Sequence, residues 1–251
     1  MVTGTELYIV GCGVLGLRIG SLWPGPVYGE TRTTARHDEL RAAGIIPRLS
    51  HERHDCDNVL FCAPPSAFED YAGAVAEAKT RVLISSGGVF AEDDGGVCTE
   101  LSSTSSSPRA VKILKAEEQA PIVLRLAGLY DLHRGPHEYW FRKGIAGPPD
   151  SLVNLLAYDD AARAAVAVLL EAQPGDLLLA ADMAPRTRRQ IVEAARIHPD
   201  FRGRTVEFSE EDPSRGPKGK GRTYDCSFTK SKLNWEPKFP SIEAFFRAHH
   251  S

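Results

Sequence analysis

The sequence predicts a doubly wound α/β protein, built on a parallel sheet of about seven strands with a smaller C-terminal lobe. Three observations predict this class. Short apolar runs alternate with segments of helical periodicity through the first half of the chain. A glycine-rich stretch directly follows the first apolar run and precedes the first helical segment. The length of 251 residues suits one large domain with a small addition.

The first half of the chain carries most of the predicted strands. They are Leu7–Val10, Val27–Thr31, Ile45–Arg48, Val59–Cys62, Val82–Ser85 and Ile122–Leu126. The predicted helices between them are Val14–Trp23, Thr34–Ala43, Ser66–Lys79 and Pro108–Gln119. Residues 87–107 are rich in glycine and serine, so we expect a surface loop there.

Beyond residue 130 the predicted order is less regular and starts with a loop of His, Gly and Pro. The later predicted elements are a helix at Tyr158–Glu171, a strand at Leu177–Ala180, a helix at Thr187–Ile197, a strand at Thr205–Phe208, a basic loop at 213–222 and a helix at Ile242–His249. The C-terminal part is therefore expected to add a strand to the sheet and helices around it.

Charge and composition exclude several classes of protein. The formal net charge is −3, so we expect a small-molecule substrate and neither nucleic acid nor membrane as a partner. The five cysteines are odd in number and lack CxxC spacing, which predicts reduced thiols and no metal site. We find no signal peptide or long apolar run and expect a soluble, cytoplasmic protein, or an organellar one after removal of a transit peptide. The sequence leaves the oligomeric state open.

The glycine-rich stretch is a GxGxxG loop between a strand and a helix. Its sequence is Gly11-Cys12-Gly13-Val14-Leu15-Gly16. In this context the first glycine permits a tight turn, the second lets the backbone approach a pyrophosphate, and the third packs helix on strand. The helix N-terminus then stabilises the phosphate charge. The loop predicts a Rossmann fold that binds a nicotinamide dinucleotide; a plain glycine-rich turn and a vestigial loop are the alternatives.

The end of the second strand favours NADP over NAD. Proteins that prefer NAD usually have an acidic residue there, which accepts a hydrogen bond from the ribose 2′-hydroxyl. This chain has Thr31 and Arg32 at that place. The guanidinium of Arg32 is expected to bind a 2′-phosphate, with Arg36 and a hydroxyl of Thr33 or its neighbour beside it. The alternative is that Glu30 binds the ribose and the arginines are merely solvated.

Further motifs follow the glycine loop in order along nearly the whole chain. They are VLFCAPP at 59–65, LISSGGVF at 83–90, RLAGLY at 125–130, NLLAYDD at 154–160 and SKLNWEPKFPSIEAFF at 231–246. This order resembles the extended short-chain dehydrogenase/reductase superfamily, specifically its atypical NAD-dependent epimerase/dehydratase-like members. The resemblance implies an NADP-dependent oxidoreductase or epimerase-like enzyme that acts on a small carbonyl or sugar-type substrate.

The resemblance also implies a division of the chain and a set of cofactor contacts. Residues 1–150 would form the NAD(P)-binding Rossmann domain, and residues 151–251 a lobe that completes the sheet and covers the substrate cleft. The expected cofactor-binding residues are Gly11, Gly13, Val14, Leu15, Gly16, Thr31, Arg32, Thr33, Arg36, Ala63, Pro64, Pro65, Ser85, Lys115, Leu126 and Gly128.

The catalytic residues of the resembled family are matched only in part. That family uses Ser, Tyr and Lys, with the tyrosinate as the acid/base. Ser86 matches the serine, and the family's usual interval from it places Lys115 at the lysine and Val111 at the tyrosine. No tyrosine occurs between Tyr71 and Tyr130, so a slipped alignment cannot restore one. The proton donor is missing, and Lys115 is left to bond the nicotinamide ribose; the alternative is that it is a lysine on the helix surface.

Replacement proton donors are expected in the segment 130–140, which the resemblance places beside the nicotinamide. Tyr130 and His133 are the first candidates, and His137 and Tyr139 are also titratable. Alternatively, these residues belong to a solvated loop. A second hypothesis is a non-catalytic NADP-binding sensor or scaffold, which Val111 at the tyrosine position and Ala157 at the position of the family's histidine favour.

Two features lie outside this expected site. Asp160 is expected to cap or position a helix. The basic loop contains Lys218, Lys220 and Arg222, with Arg215 nearby. It is a candidate contact for a phosphorylated substrate such as a nucleotide sugar, and a plain solvated loop is the alternative.

Overall fold

The computed structural model describes residues 5–53, 55–64, 67–72, 76–212, 216–217 and 219–250. Its helices are α1 (Val14–Leu22), α2 (His37–Ala42), α3 (Glu69–Ala72), α4 (Pro108–Glu117), α5 (Pro136–Lys143), α6 (Tyr158–Glu171), α7 (Arg188–Ala195), α8 (Ser227–Leu233) and α9 (Ile242–Ala248). Its strands are β1 (Leu7–Val10), β2 (Val27–Thr31), β3 (Ile46–Leu49), β4 (Asn58–Phe61), β5 (Thr80–Ser86), β6 (Asp94–Cys98), β7 (Ile122–Leu126), β8 (Gly128–Tyr130), β9 (Ile145–Ala146), β10 (Leu152–Val153), β11 (Leu155–Ala157), β12 (Leu177–Ala180), β13 (Arg186–Thr187), β14 (Glu207–Phe208), β15 (Glu211–Asp212), β16 (Gly216–Pro217) and β17 (Gly221–Tyr224).

Seven parallel strands form the central sheet in the order β12-β7-β5-β4-β1-β2-β3. This confirms the predicted doubly wound parallel sheet. Val10 of β1 pairs with Glu30 of β2 on one side and with Phe61 of β4 on the other. The strand order therefore reverses between β1 and β4. Ligands of doubly wound sheets bind in the crevice at such a reversal, beyond the carboxyl ends of the strands.

The side chains of β1 alternate between two cores, because successive strand residues point to opposite faces of a sheet. Leu7 and Ile9 belong to the core shared with α1 and α6, whereas Tyr8 and Val10 belong to the core shared with α3 and α4. A separate aromatic cluster joins α5, α9 and the segment between α7 and β14; its members include Phe141, Phe201, Phe245 and Phe246. Among the described residues, no helix has both the length and the apolar character that crossing a bilayer requires.

Two loop predictions are partly wrong, because the structure forms a strand in each of the two segments and these strands pair with each other. Residues 94–98, within the expected loop 87–107, form β6, which pairs in parallel with β17. Both strands contain glycine and lack an apolar run, so nothing local in the sequence marks them as strands. The predicted strand Thr205–Phe208 is reduced to its last two residues.

Two helices were not expected. Helix α5 occupies the segment expected to be a loop of His, Gly and Pro, and α8 has no predicted counterpart. Gly135 and Pro136 start α5 and Gly144 ends it in a left-handed conformation, so the turn formers delimit a short helix. Of the predicted helix Ser66–Lys79, the structure shows α3, and residues 65–66 and 73–75 lie outside the described residues.

Asp160 fixes the closing segment of the chain to α6. Its carboxylate is fully buried and accepts hydrogen bonds from the backbone N–H groups of Lys238, at 2.6 Å, and Phe239, at 2.9 Å. Arg163, one turn along α6, donates to the same carboxylate at 3.1 Å. The side chain therefore positions the chain ahead of α9.

We expect Asp160→Ala to lower the free energy of unfolding by about 2–4 kcal/mol, because two backbone donors lose their buried acceptor. Chemical denaturation measures this loss. Asp150→Ala, at an exposed position, is the control and should change stability by less than about 0.5 kcal/mol. Equal losses in the two variants would contradict the role assigned to Asp160.

Candidate functional site

A cleft of about 800 Å³ opens beyond the carboxyl ends of β1, β4 and β5. It lies at the reversal of strand order, where the fold places ligands. Its walls are the glycine loop, the chain after β4, the end of β5 and one face of α4. The lining residues are Gly11, Gly13, Val14, Leu15, Gly16, Cys62, Ala63, Pro64, Ile84, Ser85, Ser86, Pro108, Arg109, Lys112, Ile113, Leu129 and Tyr158.

The three glycines of the loop differ in what surrounds them. Gly11 has φ +75°, and a Cβ atom there would lie 2.7 Å from the backbone nitrogen of Ala63, so a side chain cannot be accommodated. A Cβ on Gly16 would lie 3.0 Å from Ile9, which shows how closely α1 packs on β1. At Gly13 the nearest atoms are 3.9 Å away or more. The loop is therefore tight at both ends and open in the middle, where a pyrophosphate could approach the backbone.

Helix α4 brings Lys112, rather than Lys115, to the cleft. Pro108, Arg109, Lys112 and Ile113 line it, whereas Lys115 lies outside the lining; both lysines are exposed. The serine-to-lysine interval of the resembled family, counted from Ser86, crosses a polar loop. The length of this loop relative to the family could not be determined from the sequence. The residue four positions before Lys112 is Pro108, which has no proton to exchange. The tyrosine of the resembled family is therefore absent in either register.

Ser86 lies at the end of β5, in the lining of the cleft. Its Oγ accepts a hydrogen bond from the backbone N–H of Gly88 at 3.1 Å, which caps a short 3₁₀ turn and fixes the side chain. Ser85 also lines the cleft, but its hydroxyl donates to Glu117 at 2.5 Å. Glu117 in turn forms a buried ion pair with Arg125 at 2.5 Å. Ser85 and Arg125 thus hold α4 on the sheet, and Ser86 is the serine with its hydroxyl at the cleft.

The structure brings neither Tyr130 nor His133 to the cleft. Tyr130 is fully buried in the aromatic cluster, with its ring 5.1 Å from that of Phe245, and burial raises its pKa. His133 is exposed in the turn that follows β8. His137 is buried, which lowers its pKa to about 4, and it is likewise outside the lining. The chain turns away after β8, because the apolar face of α5 packs into that cluster.

Tyr158 was not among the expected site residues, yet it is the one tyrosine among the described residues that line the cleft. The Arg18 guanidinium carbon lies 5.3 Å from the centre of its ring. Arg18 also forms ion pairs with Asp131, at 2.7 Å, and with Asp159. Burial is the main cause that raises the pKa of Tyr158. The tyrosine next to Ala157 in the NLLAYDD motif is the signal that could have identified it.

The far edge of the glycine loop carries Arg36. Its Nη1 atom donates to the carbonyl of Cys12 at 3.3 Å, and its other nitrogens donate to Glu39 at 2.7 and 2.9 Å. Arg32 is exposed in the turn after β2. The structure therefore places one of the two expected arginines directly at the loop and the other in solvent nearby.

Glu30 and Thr31 point to opposite sides of β2. The Glu30 carboxylate is buried and accepts hydrogen bonds from Tyr8, at 2.8 Å, and Arg53, at 3.2 Å. The Thr31 hydroxyl donates to the carbonyl of Thr33 at 2.9 Å, and Thr33 is exposed. The carboxylate of Glu30 is thus bound by side chains of the same chain.

The remaining expected contacts lie in two places. Ala63 and Pro64 line the cleft, and Pro65 lies outside the described residues. Leu126 and Gly128 line an adjoining cavity instead. Within the described ranges, no three His, Cys, Asp or Glu side chains are grouped as a metal ion would require.

Comparison with known proteins identifies the fold. No family model matches the chain, and no curated protein sequence matches it. A solved structure of a functionally unknown conserved protein from Silicibacter pomeroyi matches with a TM-score of 0.77 at 20% identity, over 97% of each chain. UDP-glucuronic acid 4-epimerase from Bacillus cereus, in complex with NAD, matches with a TM-score of 0.75 at 15% identity, over 98% of this chain and 100% of that chain. A dTDP-glucose 4,6-dehydratase from Bacillus anthracis, in complex with NAD, matches with a TM-score of 0.77 at 13% identity, over 98% of this chain and 95% of that one.

The chain has the fold of these epimerases and dehydratases. The resemblance stated from the sequence motifs is thereby confirmed at the level of the fold. The roles of individual site residues stay predictions.

We expect Lys112→Met to weaken binding of the reduced dinucleotide by about 10-fold, as for the loss of one hydrogen bond from a charged group. Lys115→Met is the matched control, since it removes the same charge from an exposed position on the same helix. Fluorescence titration of both variants measures the effect. If Lys115→Met weakened dinucleotide binding more than Lys112→Met did, Lys115 would be the lysine that binds the dinucleotide.

Proposed function

We propose that this protein is an NADP-dependent oxidoreductase or epimerase-like enzyme that acts on a small carbonyl or sugar-type substrate. The observation that carries the proposal is one continuous cleft, with a glycine loop at one end and Ser86 and Lys112 in its lining. Proteins of the same fold were solved in complex with NAD, which supports a nicotinamide dinucleotide as the cofactor here.

The residues present fit such a cofactor. The open space at Gly13 lets phosphate oxygens reach the backbone, and α1 begins at Val14 with its N-terminal dipole directed at the loop. A cleft of about 800 Å³ is within the range of cofactor sites. When bound, the nicotinamide supplies or accepts the hydride.

Two observations favour NADP over NAD. Arg36 lies at the loop, and its guanidinium, which donates to Glu39 and to the Cys12 carbonyl in this structure, would turn from Glu39 to bind the phosphate. Glu30, the alternative ribose ligand, already accepts hydrogen bonds from Tyr8 and Arg53. A carboxylate held in this way is not available to a ribose 2′-hydroxyl.

Three side chains of the cleft would each have a separate role in the reaction. The Ser86 hydroxyl would donate to the substrate carbonyl oxygen and hold it in place. The Lys112 ammonium would bond the ribose hydroxyls and stabilise negative charge that develops nearby. The proton that carbonyl reduction needs would come from Tyr158, because it is the one tyrosine among the described residues that line the cleft.

A second candidate function is a non-catalytic NADP-binding sensor or scaffold. It is favoured by Pro108, which stands four residues before the lysine of the cleft, where the resembled family has its catalytic tyrosine. The position of Tyr130 in the aromatic cluster also favours it. This function requires cofactor binding without turnover.

A panel of small carbonyl compounds and sugar derivatives with NADPH separates the two functions. We expect NADPH oxidation with at least one compound, and Ser86→Ala and Tyr158→Phe should each lower kcat by about 100-fold or more. If NADPH binds and no compound is reduced, the enzyme proposal is wrong and the sensor remains.

Cofactor choice is tested by Arg36→Gln. The variant should lose about 10- to 100-fold in NADPH affinity and little in NADH affinity, since only NADPH carries the 2′-phosphate. Arg41→Gln is the matched control, because Arg41 lies on α2 and pairs with Asp38, away from the loop. Equal losses for both coenzymes in Arg36→Gln would contradict the proposed recognition.

A further inference from the structure

The turn after β5 holds Ser86 through one peptide group, the one between Gly87 and Gly88. The N–H of this group donates to the Oγ atom of Ser86 at 3.1 Å. Its carbonyl oxygen accepts a hydrogen bond from the Tyr224 hydroxyl at 2.7 Å and a longer one from the N–H of Phe90 at 3.4 Å. Because a trans peptide group is planar, a bond that fixes its carbonyl also fixes the direction of its N–H. One rigid group therefore connects the Tyr224 hydroxyl to the Ser86 hydroxyl.

The bond from Gly88 leaves the hydroxyl hydrogen of Ser86 available for a substrate. A serine hydroxyl donates one hydrogen bond and can accept two. The Oγ atom of Ser86 accepts from Gly88, and no described residue accepts a hydrogen bond from it. A hydrogen bond to the carbonyl end of a peptide group also strengthens the N–H at the other end as a donor. The Tyr224 hydroxyl thus strengthens the contact that orients Ser86.

Tyr224 is itself held firmly on β17. It is 9% exposed, and its ring packs edge-on against that of Phe90, with the ring centres 5.5 Å apart. Its backbone N–H donates to the side-chain oxygen of Asn154 at 2.9 Å, and the Asn154 amide donates to the carbonyl of Arg222 at 2.9 Å. Burial raises the pKa of Tyr224 to about 12, so the hydroxyl keeps its hydrogen at neutral pH.

The contact with Tyr224 also accounts for the glycine at position 87. A Cβ atom on Gly87 would lie 2.7 Å from the Tyr224 hydroxyl oxygen and 2.8 Å from two carbons of its ring. Gly87 is not among the glycines with a positive φ, so its backbone conformation does not require a glycine. The turn and the tyrosine therefore fit closely, and a side chain at position 87 would separate them.

The expected basic loop at 213–222 runs into β17. Arg222, at its end, donates from Nη1 to the carbonyl of Phe90. Lys220 is exposed, and Lys218 and Arg215 lie outside the described residues. Arg222 thus fixes β17 to the chain that follows β5, close to the bond made by the Tyr224 hydroxyl.

We infer that Tyr224 is a positioning residue for Ser86: its hydroxyl fixes and polarises the peptide group between Gly87 and Gly88, which directs the Ser86 hydroxyl toward the substrate oxygen. The inference rests on the proposed function, in which Ser86 donates to that oxygen. Tyr224 exchanges no proton with the substrate and acts only through the turn. The C-terminal part of the chain thereby contributes to the chemistry of a serine on β5.

Tyr224→Phe tests this role, since it removes the hydroxyl and keeps the ring. We expect kcat for carbonyl reduction to fall about 3- to 10-fold, the loss typical of one neutral hydrogen bond, with NADPH affinity unchanged. In a Ser86→Ala background the same substitution should change kcat by less than about twofold, because the hydroxyl that Tyr224 positions is gone. Equal losses in the two backgrounds would show a general structural role and overturn the inference.

Tyr28→Phe is the matched control. It removes a tyrosine hydroxyl that bonds Glu6 at 3.3 Å and that lies outside the lining of the cleft. This control should change kcat by less than about twofold in either background. Thermal denaturation checks that each variant is folded.

A second measurement does not depend on turnover. The amide proton signal of Gly88, in protein labelled with ¹⁵N-glycine, reports its bond to Ser86. Tyr224→Phe should move this signal upfield, because the N–H becomes a weaker donor. Introducing 3-fluorotyrosine at position 224, which keeps a more acidic hydroxyl, should move it downfield and provides the test if Tyr224→Phe does not fold. An unchanged Gly88 signal would overturn the inference. If the signal moves as expected but no carbonyl compound is reduced, the proposed function fails and the link between Tyr224 and Ser86 stands.

Discussion

The contact between the backbone at Gly11 and the backbone at Ala63 sets the shape of the whole site. The two chains leave adjacent strands, β1 and β4, at the point where strand order reverses, and no Cβ atom fits between them. Because Gly11 has a positive φ, the chain turns sharply enough for α1 to start within the cleft. The close packing of Gly16 on Ile9 then fixes the direction of that helix. The open backbone at Gly13 follows from these two constraints.

The direction of side chains along β2 extends this argument to cofactor choice. Strand alternation turns Glu30 into the core side of the sheet, where Tyr8 and Arg53 hold it, and leaves Thr31 on the side of the loop. Arg36 in the next turn then becomes the charged group nearest the loop. A cationic side chain therefore lies at the edge of the glycine loop, and Lys112 of α4 adds another in the lining of the cleft.

Local signals in the sequence were sufficient for the central sheet and for the glycine loop. Strands such as Leu7–Val10 and Leu177–Ala180 are apolar runs, and their bounds agree with the structure. The pairing of β6 with β17 could not be predicted, because it joins distant segments rich in glycine. The lysine of α4 that faces the cleft was also not predicted. The polar loop before α4 has no pattern that shows how its length compares with that of the resembled family. Lys112 therefore emerged only from the folded chain, whereas Tyr158 stands in the NLLAYDD motif and could have been identified there.

The direction of the chain after β8 also could not be predicted from the sequence. The segment 130–140 is rich in titratable groups, but the apolar face of α5 decides where they go, and it packs Tyr130 and His137 into the aromatic cluster. A count of chemically active residues does not reveal such packing, since burial depends on partners such as Phe201 and Phe246 that lie far along the chain.

The central claim is that backbone amides of the glycine loop hold a dinucleotide and that a guanidinium beside them selects its phosphorylated form. Calorimetric titration of the wild-type protein with NADPH and with NADH tests it most directly. The account predicts saturable binding of both, with NADPH the tighter by about 10-fold or more. Absence of heat with either coenzyme, from protein shown to be folded, would contradict it.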